Sequence, residues 1–358
     1  MPVNEGQRGP QVVSVGTALP PHQATQEQLT AALRGLWAGA HHNVERLEQL
    51  HRAVGVQGRH LALPIEQYAE LTSFGARNGA WQRVALDLGE QAVRAALAGA
   101  GLEPRDLDHV FFVTVTGIAT PSIDARLVNR LGLRPDVKRS PLFGLGCVAG
   151  AAGLARASDY LRAFPGQRAL LLSVELCSLT LQREDMSIAN IIASGLFADG
   201  AAAVVLAGQE HAGRGPRVLA TESVFYPDTE RVMGWDVVDG GFKVVLSAKV
   251  PQIVLEHIRG DVDRFLARHG VQLSQVKHVV AHTGGPKVLQ AFEQALELRE
   301  GALGRSWASL REVGNLSSAS VLFVLGEMLA SGEASEGDLG LMVAMGPGFC
   351  AELVLLRW

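Results

Sequence analysis

Cysteine is scarce in this chain: Cys147, Cys177 and Cys350 are the only three among 358 residues. An odd, widely spaced set excludes a disulfide framework and fits a reducing compartment, so a cytoplasmic location is expected. Charge of one sign is also missing. The formal net charge is −4, from 32 basic and 36 acidic residues with no block of like sign. That excludes a broad basic surface for nucleic acid. Apolar stretches are broken by Gly, Asp or Pro well before the ~20 residues of a membrane span. Residues 1–10 are polar and lack the apolar centre of a signal peptide. The eleven histidines include the pair His41-His42, yet none falls into a His/Cys/Asp cluster with ligand spacing, so no metal is expected. What is present is 47% hydrophobic residues and 40 glycines. Disorder is excluded, and a large Ala/Gly-rich interior is expected. At roughly 150 residues per domain, the length fits two domains or one duplicated unit.

Periodicity favours duplication. Residues 12–15 read as a buried strand ended by Gly16 and Pro20-Pro21, residues 26–60 as helical, 84–100 as a helix stopped by Gly99 and Gly101, and 110–115 as a strand. Residues 93–110 then align without a gap on 262–279. Leu97 falls on Leu266, Gly101 on Gly270 and His109 on His278, an offset of 278 − 109 = 169. Gly146-Cys147 opens a helix at 149–164 and Gly314-Asn315 another at 317–329, an offset of 315 − 147 = 168. Strands at 169–174 and 339–344 stand 339 − 169 = 170 apart. Strands that are apolar throughout belong in sheets covered on both faces by helices. The expectation is an α/β protein of two similar halves, 1–207 and 218–358, joined by residues 208–217 and packed about a pseudo-twofold axis.

Three residues carry the chemistry. Cys147 lies in the glycine-rich run 143–153, at the start of a helix. Unpaired N–H groups and the helix dipole there lower a thiol pKa from its usual ~8.5. The other reading of Cys147 is a small buried hydrophobe. The spacing Gly144-x-Gly146-x-x-x-Gly150 misses the dinucleotide fingerprint by one position and lacks its acidic ribose ligand. His282 follows the strand 279–281 and precedes Gly284-Gly285-Pro286, which puts it at a turn. It reads equally as a hydrogen-bonded loop histidine. Asn315 reads alone as a helix N-cap, but duplication makes it the mate of Cys147. A nucleophilic Cys, a His and an Asn then converge. That trio suits decarboxylative carbon–carbon condensation. The thiolate takes an acyl group from a thioester, with His282 as its ion-pair partner. His282 and Asn315 donate to the malonyl thioester oxygen while the enolate forms. No metal or redox cofactor is needed, only coenzyme A thioesters as substrates.

At these residues the sequence resembles the type III polyketide synthases, the chalcone-synthase-like branch of the thiolase fold. The motifs are Gly144-Leu-Gly-Cys147-Val-Ala-Gly, Ser173-Val-Glu-Leu-Cys-Ser178, Gly195-Leu-Phe-Ala-Asp-Gly-Ala-Ala-Ala203, His282-Thr-Gly-Gly-Pro286, Gly314-Asn-Leu-Ser-Ser-Ala-Ser320 and Gly346-Pro-Gly348. The resemblance implies a thiolase-like layered αβαβα fold and a Cys147, His282, Asn315 triad. β-Ketoacyl synthase III shares that triad but typically has His-Gln-Ala-Asn where this chain has His282-Thr-Gly-Gly.

The resemblance also implies pocket residues. Phe197 matches one gatekeeper phenylalanine of the plant enzymes, and Val244 falls at the other, which widens the gate. Cys177 replaces a cavity threonine, as in bacterial relatives, and Thr180 and Gly195 should line the same cavity. The Gly346, Pro347, Gly348 loop resembles that of the polyketide branch, and the resemblance places it among the substrate-binding residues. Thr120 matches a residue inserted into the partner's cavity, so a homodimer is implied. Arg46, Arg52 and Arg59, with Gly284 and Gly285, are the candidates for coenzyme A. The expectation is a bacterial type III polyketide synthase that loads a medium- or long-chain acyl-CoA and extends it with malonyl-CoA to alkylpyrones or alkylresorcinols. The alternatives are a tetrahydroxynaphthalene-type synthase primed by malonyl-CoA, a β-ketoacyl synthase III, and a scaffold that only binds acyl-CoA.

Overall fold

A computed structural model describes residues 9–37, 44–211, 213 and 215–358. The His41-His42 pair, residues 1–8, and Ala212 and Arg214 of the expected linker lie outside the described residues. Nine strands form one sheet, in the spatial order Val276–Ala281, Leu339–Gly346, Cys350–Arg357, Arg217–Phe225, Gln11–Ala18, Asp199–Ala207, Arg168–Leu176, His109–Thr114 and Lys138–Phe143. At the middle of this order, Gln11–Ala18 and Arg217–Phe225 meet through one residue pair, Gln11 with Arg217. On either side of that seam the pairing runs antiparallel, antiparallel, then parallel. The two halves are thus the same sheet built twice, with Lys138–Phe143 added to the first.

Alternation along each strand explains the layers. Ala169 and Leu171 face one hydrophobic cluster, Leu170 and Leu172 another. The first cluster lies between the two halves, where the helices Ala149–Ala163 and Ser320–Ser331 pack side by side. Small residues allow the close approach: a Cβ on Gly150 would stand 2.2 Å from the Ser318 carbonyl oxygen. The long helix Phe74–Ala100 covers the outer face of the first half and Val250–Arg268 that of the second. The result is helix, sheet, central helices, sheet, helix. Each fully buried apolar side chain contributes roughly 1.5–3 kcal/mol, and leucine, valine and alanine dominate all three clusters.

Two expectations change. The stretch 26–60 is not one helical run. It is the helices Gln26–Leu36 and Val44–Ala53 followed by a strand, Gly58–Leu61, paired with His22–Thr25. The duplication is real but its register shifts. Element starts around the site differ by 317 − 146 = 171, 320 − 149 = 171 and 339 − 168 = 171. Ser318, not Asn315, therefore stands opposite Cys147.

Candidate active site

Cys147 sits on the 3-10 turn Gly146–Val148, which runs into the helix Ala149–Ala163. Gly146 holds φ at +58°, and a Cβ there would meet Pro347 at 2.7 Å, so only glycine fits between the two loops. The thiol is 5% exposed and donates to the Ser317 hydroxyl at 3.7 Å. Burial pushes it up to about 12; the Ser317 hydrogen bond opposes this and the Glu175 charge adds to it. The expectation of a helix-lowered thiol is thus reversed in the resting protein, because desolvation of a thiolate outweighs the helix end.

Asn315 bridges to the segment that carries Phe197. Its carbonyl oxygen accepts from Ala198 N at 2.8 Å and its own N donates to the Leu196 oxygen at 3.0 Å. The side-chain oxygen accepts from Ser317 N at 2.8 Å and from the Ser320 hydroxyl at 3.4 Å. With that oxygen committed, the Nδ2 hydrogens are the donors left for a substrate. His282 directly follows the strand Val276–Ala281 and is tied to Val343 O at 3.0 Å. Burial lowers its pKa to about 4, so the ring is neutral near pH 7. Its Nδ1 has no hydrogen-bond partner among the described residues. Ser317 links Cys147 to Asn315. The strand Leu339–Gly346 links the His282 backbone to the Cys147 turn: it pairs with His282's strand and ends at Gly346, where a Cβ would stand 2.6 Å from Val148 N.

Two cavities meet at the site. A pocket of about 30 Å³ is lined by Cys147, Ser317 and Pro347. A cavity of about 340 Å³ lies beyond it, lined by Thr180, Leu29, Leu33, Leu181 and other mainly apolar residues. Cys177, Phe197, Trp235 and Val244 face both and form the wall between them. The strand pair Met233–Val238 and Gly241–Leu246 supplies Trp235 and Val244. Phe197, Cys177, Val244, Thr180 and Pro347 all line one or both cavities.

Other expected residues lie outside the two cavities. Gly195 turns away from the cavities: a Cβ on it would meet the His51 ring at 2.7 Å. Gly346 packs on the Cys147 turn, and Gly348 lies against Phe225 and Cys350. Thr120 is exposed, beside the cis Thr120–Pro121 bond. Gly284 abuts Val288, and Gly285, at φ +121°, starts the helix Pro286–Ala295. Arg46 and Arg52 are exposed on Val44–Ala53, and Arg52 reaches Glu48 at 3.8 Å.

Arg59 departs most from the surface role expected for coenzyme A. It is 1% exposed. Its Nη1 donates to Ser194 O at 3.0 Å and Phe197 O at 2.7 Å, and its Nη2 to Gly195 O and Gln26 Oε1. Burial lowers its pKa to about 10, partly offset by Asp199, so it stays charged at neutral pH. It fastens the backbone that carries Phe197.

Glu175, Thr116, Ser318, Ser317 and Trp235 were not singled out from sequence. Glu175 is buried and accepts from Val115 N at 3.1 Å, Thr116 Oγ1 at 2.8 Å and the Ser318 hydroxyl. Burial pushes its carboxyl up to about 7, against those hydrogen bonds. Ser318 also pairs with Ser173 at 2.8 Å, so one polar network joins the two halves beside Cys147. The signal was a serine and a glutamate inside the otherwise apolar strand Arg168–Leu176. Among the described residues no His/Cys/Asp/Glu group has the geometry of a metal site, and no helix is long and apolar enough to cross a membrane.

Known proteins resemble this architecture along its length. Sequence models for chalcone and stilbene synthases match at residues 3–210 for the N-terminal domain and 217–358 for the C-terminal domain. The 1,3,6,8-tetrahydroxynaphthalene synthase of Streptomyces peucetius subsp. caesius is 52% identical over 354 residues, covering 98% of this chain and 94% of that protein. Phloroglucinol synthase of Pseudomonas fluorescens is 34% identical over 344 residues, 95% and 96% of the two chains. The crystal structure of 1,3,6,8-tetrahydroxynaphthalene synthase from Streptomyces coelicolor A3(2), a bacterial type III polyketide synthase, superposes with a TM-score of 0.92 at 32% identity, over 97% of this chain and 99% of that one. With a thiolase-like fold, a buried Cys147 and both family domains in place, the chain belongs to the chalcone and stilbene synthase family and is a type III polyketide synthase, an acyltransferase.

Proposed function

We propose that the protein primes Cys147 with malonyl-CoA, extends the chain with further malonyl-CoA and releases a tetrahydroxynaphthalene-type product. The observation that carries the choice of starter is the 52% identity to a tetrahydroxynaphthalene synthase over nearly the whole chain. It displaces the fatty acyl starter expected from Cys177 and Val244.

The residues would act as follows. The Cys147 thiol attacks the thioester carbonyl as neutral His282 takes its proton in the same step. The carbon–sulfur bond to coenzyme A breaks, and the departing thiolate takes that proton. A malonyl-CoA then places its thioester oxygen against Asn315 Nδ2 and a His282 N–H. Carbon dioxide leaves and its bonding electrons form the enolate, which those donors stabilise. The enolate carbon attacks the Cys147-bound carbonyl and expels the thiolate. This chemistry uses coenzyme A thioesters and no other cofactor.

A second reading rests on the 340 Å³ apolar cavity behind Cys177, which suits the chain of a medium- or long-chain acyl-CoA and alkylpyrone or alkylresorcinol products. Mass spectrometry of products from malonyl-CoA alone, and from malonyl-CoA with octanoyl-CoA, separates the two. Tetrahydroxynaphthalene from malonyl-CoA alone supports the first; product only when octanoyl-CoA is present overturns it.

Three further parts of the proposal concern setting. The halves 1–207 and 218–358 act as one unit, because the triad draws on both. Lys138–Phe143 is an open sheet edge with Phe143 53% exposed, and Ile118 near Thr120 is 46% exposed. Those features support a homodimer across that edge. A cytoplasmic location agrees with the sparse cysteines.

A further inference from the structure

The larger cavity is not purely apolar. Arg59, Arg77 and Arg183 also line it. Asp199 balances Arg59 electrostatically. Arg77 and Arg183 have no such balance. Arg77 donates Nη1 to Leu71 O at 3.0 Å and Nη2 to Gly240 O. Arg183 donates Nη1 to Ala69 O at 3.0 Å. Those acceptors are neutral carbonyls, and among the described residues neither guanidinium has a carboxylate partner within 4.0 Å. The charge acting on Arg77 is instead that of Arg183, which lowers its pKa further after burial has done so. Two like charges beside a low-dielectric cavity favour an incoming anion. A guanidinium fork fits a planar carboxylate with two parallel hydrogen bonds. The walls beside them are Leu29, Leu33, Leu71 and Leu181. The volume of about 340 Å³ falls within the roughly 300–1,000 Å³ range of small-molecule sites.

We propose that this cavity is a binding site for a linear carboxylate, its chain along the leucines and its head on Arg77 and Arg183. Such a carboxylate has two sources: a free medium-chain fatty-acid anion, or the far carboxyl of an acyl chain held on Cys147 that passes the Cys177–Phe197–Trp235–Val244 wall. The site goes beyond the choice of starter, since it recognises an anionic head in either case.

The test is calorimetric titration of the full chain carrying Cys147→Ala, which needs no turnover and so does not depend on the starter proposed above. Octanoate should bind at least about tenfold more tightly than octanol. Arg183→Gln should abolish that preference and Arg183→Lys restore part of it. Arg183 donates one hydrogen bond from a loop, so its variants should keep the parent melting temperature, whereas Arg77 also ties Gly240 and is left intact. Turnover of suberyl-CoA against octanoyl-CoA then separates the sources. Loss of suberyl-CoA use alone in Arg183→Gln assigns the head to an enzyme-bound chain. Equal loss or no loss, with octanoate binding as expected, assigns the site to the free acid. Octanoate and octanol binding alike, or a preference that survives Arg183→Gln, overturns the proposal.

Discussion

Arg59→Met separates a structural arginine from a coenzyme-binding one. The guanidinium is 1% exposed and serves four acceptors: Ser194 O, Phe197 O, Gly195 O and Gln26 Oε1. Asp199 lies near enough to raise its pKa, and that carboxylate is itself buried on Ala62 N at 2.6 Å and Ser178 N at 2.8 Å. Methionine fills similar volume but leaves the Ser194 and Phe197 carbonyls without a donor, Gly195 O with Gln26 Nε2 alone, and Asp199 without the nearby Arg59 charge. Each buried acceptor left unpaired costs about 1–3 kcal/mol. In a protein with on the order of 10 kcal/mol in total, that loss is large. Urea denaturation should show a lower midpoint with unchanged slope, and melting should fall by roughly 5–10 °C. Phe197, in the wall between the two cavities, shares the loosened backbone, so kcat should fall with stability. A surface coenzyme A contact would behave oppositely: KM for malonyl-CoA would rise while the midpoint stayed put. That pattern would refute the structural reading of Arg59.

Three other changes test the site. Asn315→Ala should lower malonyl-CoA decarboxylation by roughly 10²–10³-fold, the scale of a lost oxyanion donor, while acyl loading on Cys147 continues; an unchanged release of carbon dioxide removes Asn315 from that role. Trp235→Ala should join the 30 Å³ and 340 Å³ spaces and raise octanoyl-CoA use relative to malonyl-CoA, read by competition between the two starters; an unaltered ratio contradicts the shared wall. Glu175 titrates near 7 in the folded chain against an ordinary 4.5, so between those values the folded state holds more protons than the unfolded one. Stability should therefore fall as pH rises from 4.5 to 7. Glu175→Gln should flatten that slope in urea melts taken across the window, and a slope that persists assigns it to other groups.

The layered, duplicated fold was legible because the chain contains its strands twice and those strands are apolar throughout, which reports sheets covered on both faces; the strand order was not. The motif residues Cys147, His282 and Asn315 were legible for the same reason, since each follows a strand or opens a helix. What escaped was set by tertiary burial. Nothing local tells an exposed arginine from Arg59, whose acceptors lie 135 to 138 residues away, with Gln26 the exception. The Cys147 thiol followed the same rule: its place at a helix start was readable, but the burial that raises it is tertiary, with Val115, Cys177 and Phe197 of its own half and Met233, Ser317 and Pro347 of the other around its pocket. The shift of the repeat from 169 to 171 was hidden because the aligned segment ends at residue 110, before the site begins.

Peptide mass spectrometry after brief exposure to malonyl-CoA alone tests the central claim most directly. The account predicts an acyl adduct on the Cys147 peptide, absent in Cys147→Ala, with Cys177 and Cys350 unmodified. An adduct on another residue, or turnover of malonyl-CoA by the Cys147→Ala protein, would contradict it.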